Sequence, residues 1–173
     1  MTAPGDDSTG DTTSQSRQRS IVKLVLDEKT FVRRRPEVEH EREVAIFDLL
    51  EDNTFCLKGD GIHQGPYHVR LKLAEDRLRF DIRDALENAV KEIIFPVKPF
   101  RMVVKDYFIV CESYYDAIKT SSPSQIEAID MGRRALHNEG AQMLLERLSL
   151  DAELDHTTAR RLFTLLCVLH IRG

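Results

Sequence analysis

The sequence lacks any hydrophobic run long enough to cross a membrane, because charged residues interrupt every apolar stretch well short of about 18 residues. The first nineteen residues, MTAPGDDSTGDTTSQSRQR, also lack the apolar central region of a secretory signal peptide. We therefore expect a soluble protein of the cytoplasm that does not interact with a membrane.

Cysteine is scarce. Cys56, Cys111 and Cys167 are odd in number, widely spaced and outside any Cys-x-x-Cys pair. They predict neither a disulfide framework nor a zinc site, and they suit a reducing compartment. Glu37 and His40 have the Glu-x-x-His spacing of di-iron helix bundles, but the second copy that such a site needs is missing. We expect no metal site and no cofactor.

The common signatures of enzymes are missing as well. The sequence contains no glycine-rich phosphate loop, no dinucleotide fingerprint and no Gly-x-Ser-x-Gly elbow. Its net charge of −4 argues against a protein that holds nucleic acid through its overall charge. Whether the protein is an enzyme stays open on this basis.

What the sequence does contain predicts one α+β domain. The length of 173 residues is that of a single domain, and the apolar fraction of 42% is close to the globular average. A chain of this length buries enough surface to fold without stabilising disulfides or metal ions. Residues 1–19 are rich in Ser, Thr, Gly and Asp and are predicted to be a disordered tail, which leaves 20–173 as the folded domain.

Hydrophobic periodicity predicts a small antiparallel sheet with one helix in the N-terminal half, packed against a C-terminal bundle of about four helices. The strongest β signal is a hairpin around a turn at 74–76, with one buried and one charged face. Further strands are predicted at 21–28, 55–57 and 91–97. The predicted helices span 37–52, 99–119, 123–137, 141–150 and 157–173, with Gly140 near the C-cap of the third.

The helix predicted at 123–137 carries ionisable side chains at spacings of three, four and three, which we expect to form a row on one face. The row and its flanking residues are Glu127, Asp130, Arg133, Arg134, His137 and Asn138. Such a face would suit a phosphate or carboxylate, with His137 and Asp130 as candidate catalytic residues. The alternative is a solvated face of ion pairs one turn apart.

A second polar surface is expected on the outer face of the hairpin. Its basic residues are His68, Arg70, Lys72, Arg77, Arg79 and Arg83, opposed by Asp81. Sheets that bind RNA usually place aromatic residues among the basic ones, where bases can stack. Here Tyr67 and Phe80 fall on the opposite, buried face. RNA is therefore a weak candidate partner, and a solvated charged face is the alternative.

Two charged residues are predicted to lie among apolar neighbours on their helices. Arg42 falls within an apolar stripe that includes Ala45, and Asp106 is flanked by Met102 and Ile109. A buried charge needs a partner, which for Arg42 is expected to be Glu39 or another carboxylate. Alternatively, the guanidinium of Arg42 reaches water at the edge of the sheet.

Several segments resemble the bacterial uncharacterised protein family UPF0262. They are HEREVAIFDLLEDNTF at 40–55, GPY at 65–67, PFRMVVKDYFIVCESYYDAI at 99–118, PSQIEAIDMGRRALHNEG at 123–140 and TARRLFTLLCVLHIRG at 158–173. The resemblance implies a bacterial and cytoplasmic origin. It implies no activity, cofactor or catalytic residue.

Two functions remain open. The first is a non-enzymatic interaction or regulatory module that holds a protein or RNA partner through the polar row. The second is a small enzyme acting on an anionic substrate, in which Arg133 or Arg134 binds the anion, His137 moves a proton and Asp130 orients it. A cleft beside the row would favour the second function.

A homo-oligomer is compatible with either function. The last helix is predicted to be apolar nearly all round, with one polar strip of Arg160, Arg161 and Thr164. Such a helix suits packing on several sides or sharing with a second copy.

Overall fold

The computed structural model of the chain describes residues 17–28 and 35–170. The strands are β1 (Ile21–Asp27), β2 (Phe55–Leu57), β3 (Tyr67–Ala74), β4 (Arg77–Arg83), β5 (Ala89–Pro96) and β6 (Ala152–Leu154). The helices are α1 (Pro36–Glu51), α2 (Arg101–Thr120), α3 (Pro123–Leu148) and α4 (His156–His170), and a single 3₁₀ turn (Lys98–Phe100) precedes α2. The predicted α+β class is confirmed.

Most of the tail predicted at 1–19 lies outside the described residues. Its last part, Arg17–Arg19, already contacts the fold. The Ser20 hydroxyl donates to the Arg17 carbonyl at 2.7 Å, and the Phe55 N–H donates to the Arg19 carbonyl at 2.9 Å. Contacts with the domain therefore begin a few residues before Ser20.

The larger sheet has the strand order β1-β3-β4-β5, and β2 pairs with β6 in a separate small sheet. The predicted hairpin is confirmed, with Val69 opposite Ile82 and Leu71 opposite Phe80 in β3 and β4. The prediction that the whole sheet is antiparallel is wrong, because β1 runs parallel to β3. Parallel neighbours need a long crossover, and here the connection contains α1.

The helices cover the apolar face of the larger sheet. Helix α3 packs against both α2 and α4, while α1 packs against α4 and β1. The ring of Phe163 in α4 lies beside Tyr107 of α2, and both are buried. In the described ranges, no helix is both long and apolar enough to cross a membrane.

Helix α3 is longer than the sequence predicts. It begins where expected, at a capping box in which the Ser122 hydroxyl accepts from the Gln125 N–H. It does not end near Gly140, and the helices predicted at 123–137 and 141–150 are one. Gly140 is helical and buried against α4: a Cβ at this position would lie 2.1 Å from Cζ of Phe163. This glycine serves close helix packing rather than a left-handed C-cap.

Two side chains set the position of α1 and α4. The Asn53 amide, just beyond α1, accepts from the Ile21 N–H at 2.8 Å and donates to the carbonyls of Ile21 and Leu49. At the start of α4, the buried Thr158 hydroxyl accepts from the Thr54 N–H at 3.0 Å. The C-terminal end of α1 and the N-terminal end of α4 therefore both form hydrogen bonds with residues 53 and 54, which places α1 beside α4.

Candidate functional site

A cleft of about 450 Å³ opens between α1, α3 and α4, with α2 beneath it. We call it the interhelical cleft. The residues that line it are His40, Glu41, Val44, Ala45 and Asp48 of α1, Tyr107 of α2, Arg133 and His137 of α3, and Thr157, Arg160, Arg161 and Thr164 of α4. The positions on each helix recur one turn apart, so each helix presents a single face to the cleft.

His137 lies at the inner end of the cleft and is buried, with 9% of its surface exposed. Its ring centroid is 5.3 Å from that of Tyr107 and 5.6 Å from that of Phe163. The sequence places His137 in one row with Glu127, but Glu127 is exposed. Ten helical residues leave the two about 80° apart, enough to turn His137 toward α4.

The hydrogen bonds of His137 determine its tautomer. Nε of Arg160 donates to Nδ1 of the imidazole at 3.4 Å, so Nδ1 is an acceptor. The proton of the neutral ring is therefore on Nε2, which donates to the Thr164 hydroxyl at 2.8 Å. That hydroxyl in turn donates to the Arg160 carbonyl at 3.3 Å. Arg160, His137 and Thr164 form one closed chain of hydrogen bonds.

Burial and, to a smaller extent, the nearby positive charges of Arg160, Arg133 and His156 together lower the pKa of His137 to about 4. Both effects disfavour the imidazolium form. At neutral pH the ring is uncharged, as the bond accepted from Arg160 requires.

In the part of the chain that the structure describes, Arg133 is the one arginine of the cleft that pairs with a carboxylate. Its Nε and Nη2 donate to Oδ1 of Asp130 at 2.9 Å and 2.6 Å, and its guanidinium lies over the Tyr114 ring. Burial by itself would lower the pKa of Arg133, but its interactions with Asp130 and Tyr107 together outweigh this effect, and the pKa is raised. Asp130 also binds Nε of Arg134 at 3.2 Å, so it is engaged by two guanidinium groups.

Arg160 and Arg161 differ from Arg133. Arg161 donates through Nη1 to the Asp52 carbonyl at 2.6 Å, and Arg160 donates to His137. Among the described residues, neither guanidinium lies within 4 Å of a carboxylate oxygen. The α4 wall of the cleft therefore carries two positive charges that no acidic side chain balances locally.

The α1 wall carries acidic groups. The Tyr115 hydroxyl donates to Oε1 of Glu41 at 2.6 Å, and burial together with this bond raises the pKa of Tyr115. Burial also raises the pKa of Tyr107, and the charge of Glu41 adds to that effect. The negative charge of Glu41 therefore acts on Tyr107 at the floor of the cleft. Asp48 lies two turns further along the same wall.

The remaining residues of the predicted row lie outside the cleft. Glu127, Arg134 and Asn138 are exposed, whereas Asp130 is half-buried in its ion pairs. The structure therefore brings Arg133 and His137 together with α4 and leaves the other members on the outer surface of α3. A binding role for those outer residues stays a prediction.

The prediction that Asp106 is buried is wrong. The residue is exposed, and so are its neighbours Met102 and Ile109, at 77% and 54%, because this side of α2 faces solvent. Arg42, by contrast, is partly buried and has the predicted partner Glu39. Its side chain is 25% exposed and pairs with Glu39 at 3.3 Å and with Glu28 at 3.7 Å.

The outer face of the hairpin is a network of paired charges. Tyr67 and Phe80 are buried on the other face, as expected. His68 contacts Glu87, and ion pairs join Lys72 to Asp27, Arg79 to Glu92 and Arg83 to Asp81. Arg70 and Arg77 are exposed. Because most of its basic residues are balanced by carboxylates, this face is a poor electrostatic match for a nucleic acid.

The sequence contained part of the signal for the cleft. The strip of Arg160, Arg161 and Thr164 stands out on an apolar helix, yet nothing local joins it to His137. The α1 residues His40, Glu41 and Asp48 carry no distinguishing pattern, because charged residues are frequent all round that helix. Their common cleft follows from how α1 and α4 pack.

Comparison with known proteins gives a family without an assigned role. The model of the uncharacterised protein family UPF0262 matches residues 18–172. A UPF0262 protein of Rhodospirillum rubrum is 62% identical over 153 residues, covering 88% of this chain and 93% of the relative. Relatives from Paramagnetospirillum magneticum and Mesorhizobium japonicum are 56% and 53% identical, covering 90% and 94% of this chain and 98% and 99% of their own lengths. No solved structure matches the chain.

Proposed function

The chain belongs to the uncharacterised protein family UPF0262, and we propose that it is a binding protein for a small anionic molecule, held in the interhelical cleft. The ligand carries a carboxylate or phosphate group, and Arg160 is its main anchor. The observation that carries this proposal is that a neutral imidazole, and not a carboxylate, holds the Arg160 side chain.

An arginine held in this way keeps its full charge. A carboxylate partner would neutralise Arg160, whereas His137 only orients it through Nε. Within the described residues, Nη1 and Nη2 of Arg160 have no hydrogen-bond partner, so the edge that binds planar anions in bidentate fashion remains available. The guanidinium is also ordered before the ligand arrives, which reduces the entropy lost on binding.

The geometry supports binding more than proton transfer. Both ring nitrogens of His137 are already engaged, and its lowered pKa makes the ring a weak base at neutral pH. Asp130 is held by two arginines and does not line the cleft. The proposal therefore keeps the non-enzymatic alternative from the sequence and makes the partner a small ligand.

The test is isothermal titration of the purified chain with inorganic phosphate and, separately, with succinate. We expect saturable binding of at least one of them. Arg160→Gln should weaken it at least tenfold, since a hydrogen bond to a charged group is worth about 1.5–3 kcal/mol.

Arg77→Gln is the matched control. Arg77 is exposed on the hairpin, and its substitution removes the same charge far from the cleft. It should leave the affinity within about twofold, as expected for a distant charge screened by salt. Equal weakening by both substitutions, or no saturable binding of either anion, would overturn the proposal.

A further inference from the structure

The two walls of the interhelical cleft carry charges of opposite sign. Arg160 and Arg161 line the α4 side, while Glu41 and Asp48 line the α1 side. Unlike charges that share a cleft usually close into ion pairs. In the described part of the chain, neither carboxylate lies within 4 Å of a guanidinium nitrogen of these arginines. The cleft therefore keeps two positive side chains on one wall apart from two negative side chains on the other.

Each wall keeps groups that a ligand can use. Tyr115 binds only Oε1 of Glu41, which leaves Oε2 as an acceptor. Asp48 is half-buried, and no basic side chain among the described residues pairs with it. On the opposite wall, the terminal nitrogens of Arg160 are donors, as argued above. An anion suits the α4 wall and an ammonium group suits the α1 wall.

Between the two acidic positions the α1 wall is apolar. Val44 and Ala45 occupy the turn between Glu41 and Asp48, and both line the cleft. A volume of about 450 Å³ is at the lower end of the range for small-molecule sites. The space therefore suits a compact ligand with a short aliphatic part between its charged groups.

We propose that the ligand is a small zwitterion of the amino-acid class. Its carboxylate binds Arg160, its ammonium group binds Glu41 or Asp48, and its side chain contacts Val44 and Ala45. This inference rests on the proposed function, since it requires the cleft to be a ligand site, and it adds the requirement for a positive group.

The experiment compares matched ligands. Each proteinogenic L-amino acid is titrated calorimetrically, and the tightest binder is then compared with the carboxylic acid that lacks its amino group, as L-valine is compared with 3-methylbutanoate. We expect the amino acid to bind at least tenfold more tightly, because its ammonium group forms a charge-assisted hydrogen bond that the acid cannot form.

Variants of the acidic wall test the cause of that preference. Glu41→Gln and Asp48→Asn should reduce the ratio of the two affinities while leaving binding of the deaminated acid nearly unchanged. Glu75→Gln is the control, because Glu75 is exposed in the turn between β3 and β4, does not line the cleft, and should leave the ratio as it is.

The outcomes separate the two proposals. If the deaminated acid binds as tightly as the amino acid, and Arg160→Gln weakens both, the cleft binds anions and the zwitterion inference is overturned. If a preference exists but neither acidic substitution alters it, the inference is also overturned. If no amino acid and no anion binds saturably, the proposed function is overturned as well.

Discussion

The ring of Phe163 occupies the space that a side chain at Gly140 would need. A Cβ on residue 140 would lie 2.1 Å from Cζ and 2.3 Å from Cε2 of that ring. Phe163 is fully buried and also contacts His137, so the close approach of α3 and α4 at this point holds the imidazole in place. A glycine in mid-helix is thus part of what shapes the cleft.

Gly140→Ala is expected to destabilise the protein by about 1–3 kcal/mol, because the ring or the helix must move to accept the methyl group. Gly132→Ala in the same helix is the control. Its Cβ would meet Val110 at 3.8 Å, an ordinary contact, so the higher helix propensity of alanine should stabilise the protein by up to about 1 kcal/mol. Urea unfolding measures both. Equal effects of the two substitutions would contradict the packing argument.

The stability of the protein should fall as the pH falls from about 6.5 to about 4. His137 has a pKa of about 4 in the folded protein, whereas an unfolded histidine titrates near 6.5. In that window the unfolded chain binds a proton that the folded chain does not, so acid favours unfolding. The loss should be on the order of 3 kcal/mol.

Urea unfolding at several pH values measures this loss, and two variants assign it. His137→Gln should flatten the profile between pH 6.5 and 4, because glutamine does not titrate. His40→Gln should leave the profile unchanged, since His40 is exposed. A wild-type profile in the His137 variant would show that the imidazole is not the responsible group.

The three cysteines should be nearly inert while the protein is folded. Cys56, Cys111 and Cys167 are all buried. Burial raises the pKa of Cys111 to about 11, and burial also raises the pKa of Cys167 well above its ordinary value. Since the thiolate is the reactive form, Ellman's reagent at pH 8 should react slowly with the native protein and rapidly with three thiols after urea is added. A rapid native reaction of one equivalent would contradict this burial.

Asn53→Ala should destabilise the protein by about 2–3 kcal/mol. The side chain makes three hydrogen bonds with backbone groups of Ile21 and Leu49, and their removal leaves partly buried donors and acceptors unsatisfied. Asn138→Ala is the matched control, because Asn138 is exposed within α3 and alanine favours the helix. Urea midpoints of the two variants provide the comparison, and a small effect at residue 53 would refute the anchoring role.

The elements of the fold could be predicted largely from local patterns. Alternation of apolar and charged residues identified β3 and β4, because a strand turns successive side chains to opposite faces. Ser122 and Pro123 identified the start of α3, because both residue types favour a first helical turn. The apolar character of α4 indicated a helix that packs on several sides or is shared with a second copy.

Other features were ambiguous at the level of the sequence. Glycine suits a helix end and equally suits a tight helix crossing, so Gly140 alone could not distinguish a C-cap from the contact with Phe163. The direction of β1 depended on its neighbour in the sheet. The exposure of Asp106 depended on whether another element covers that side of α2.

The sequence by itself determined which segments are helical or extended and which faces are apolar, since these properties follow from neighbours a few residues apart. Only the tertiary structure decided that Arg160 donates to His137 and that Glu41 faces both across a cleft. Those residues are far apart in the chain and lie on three helices, and their meeting depends on how α1, α3 and α4 cross. Helix crossing is set by the packing of side chains from all the elements together, which no local pattern records.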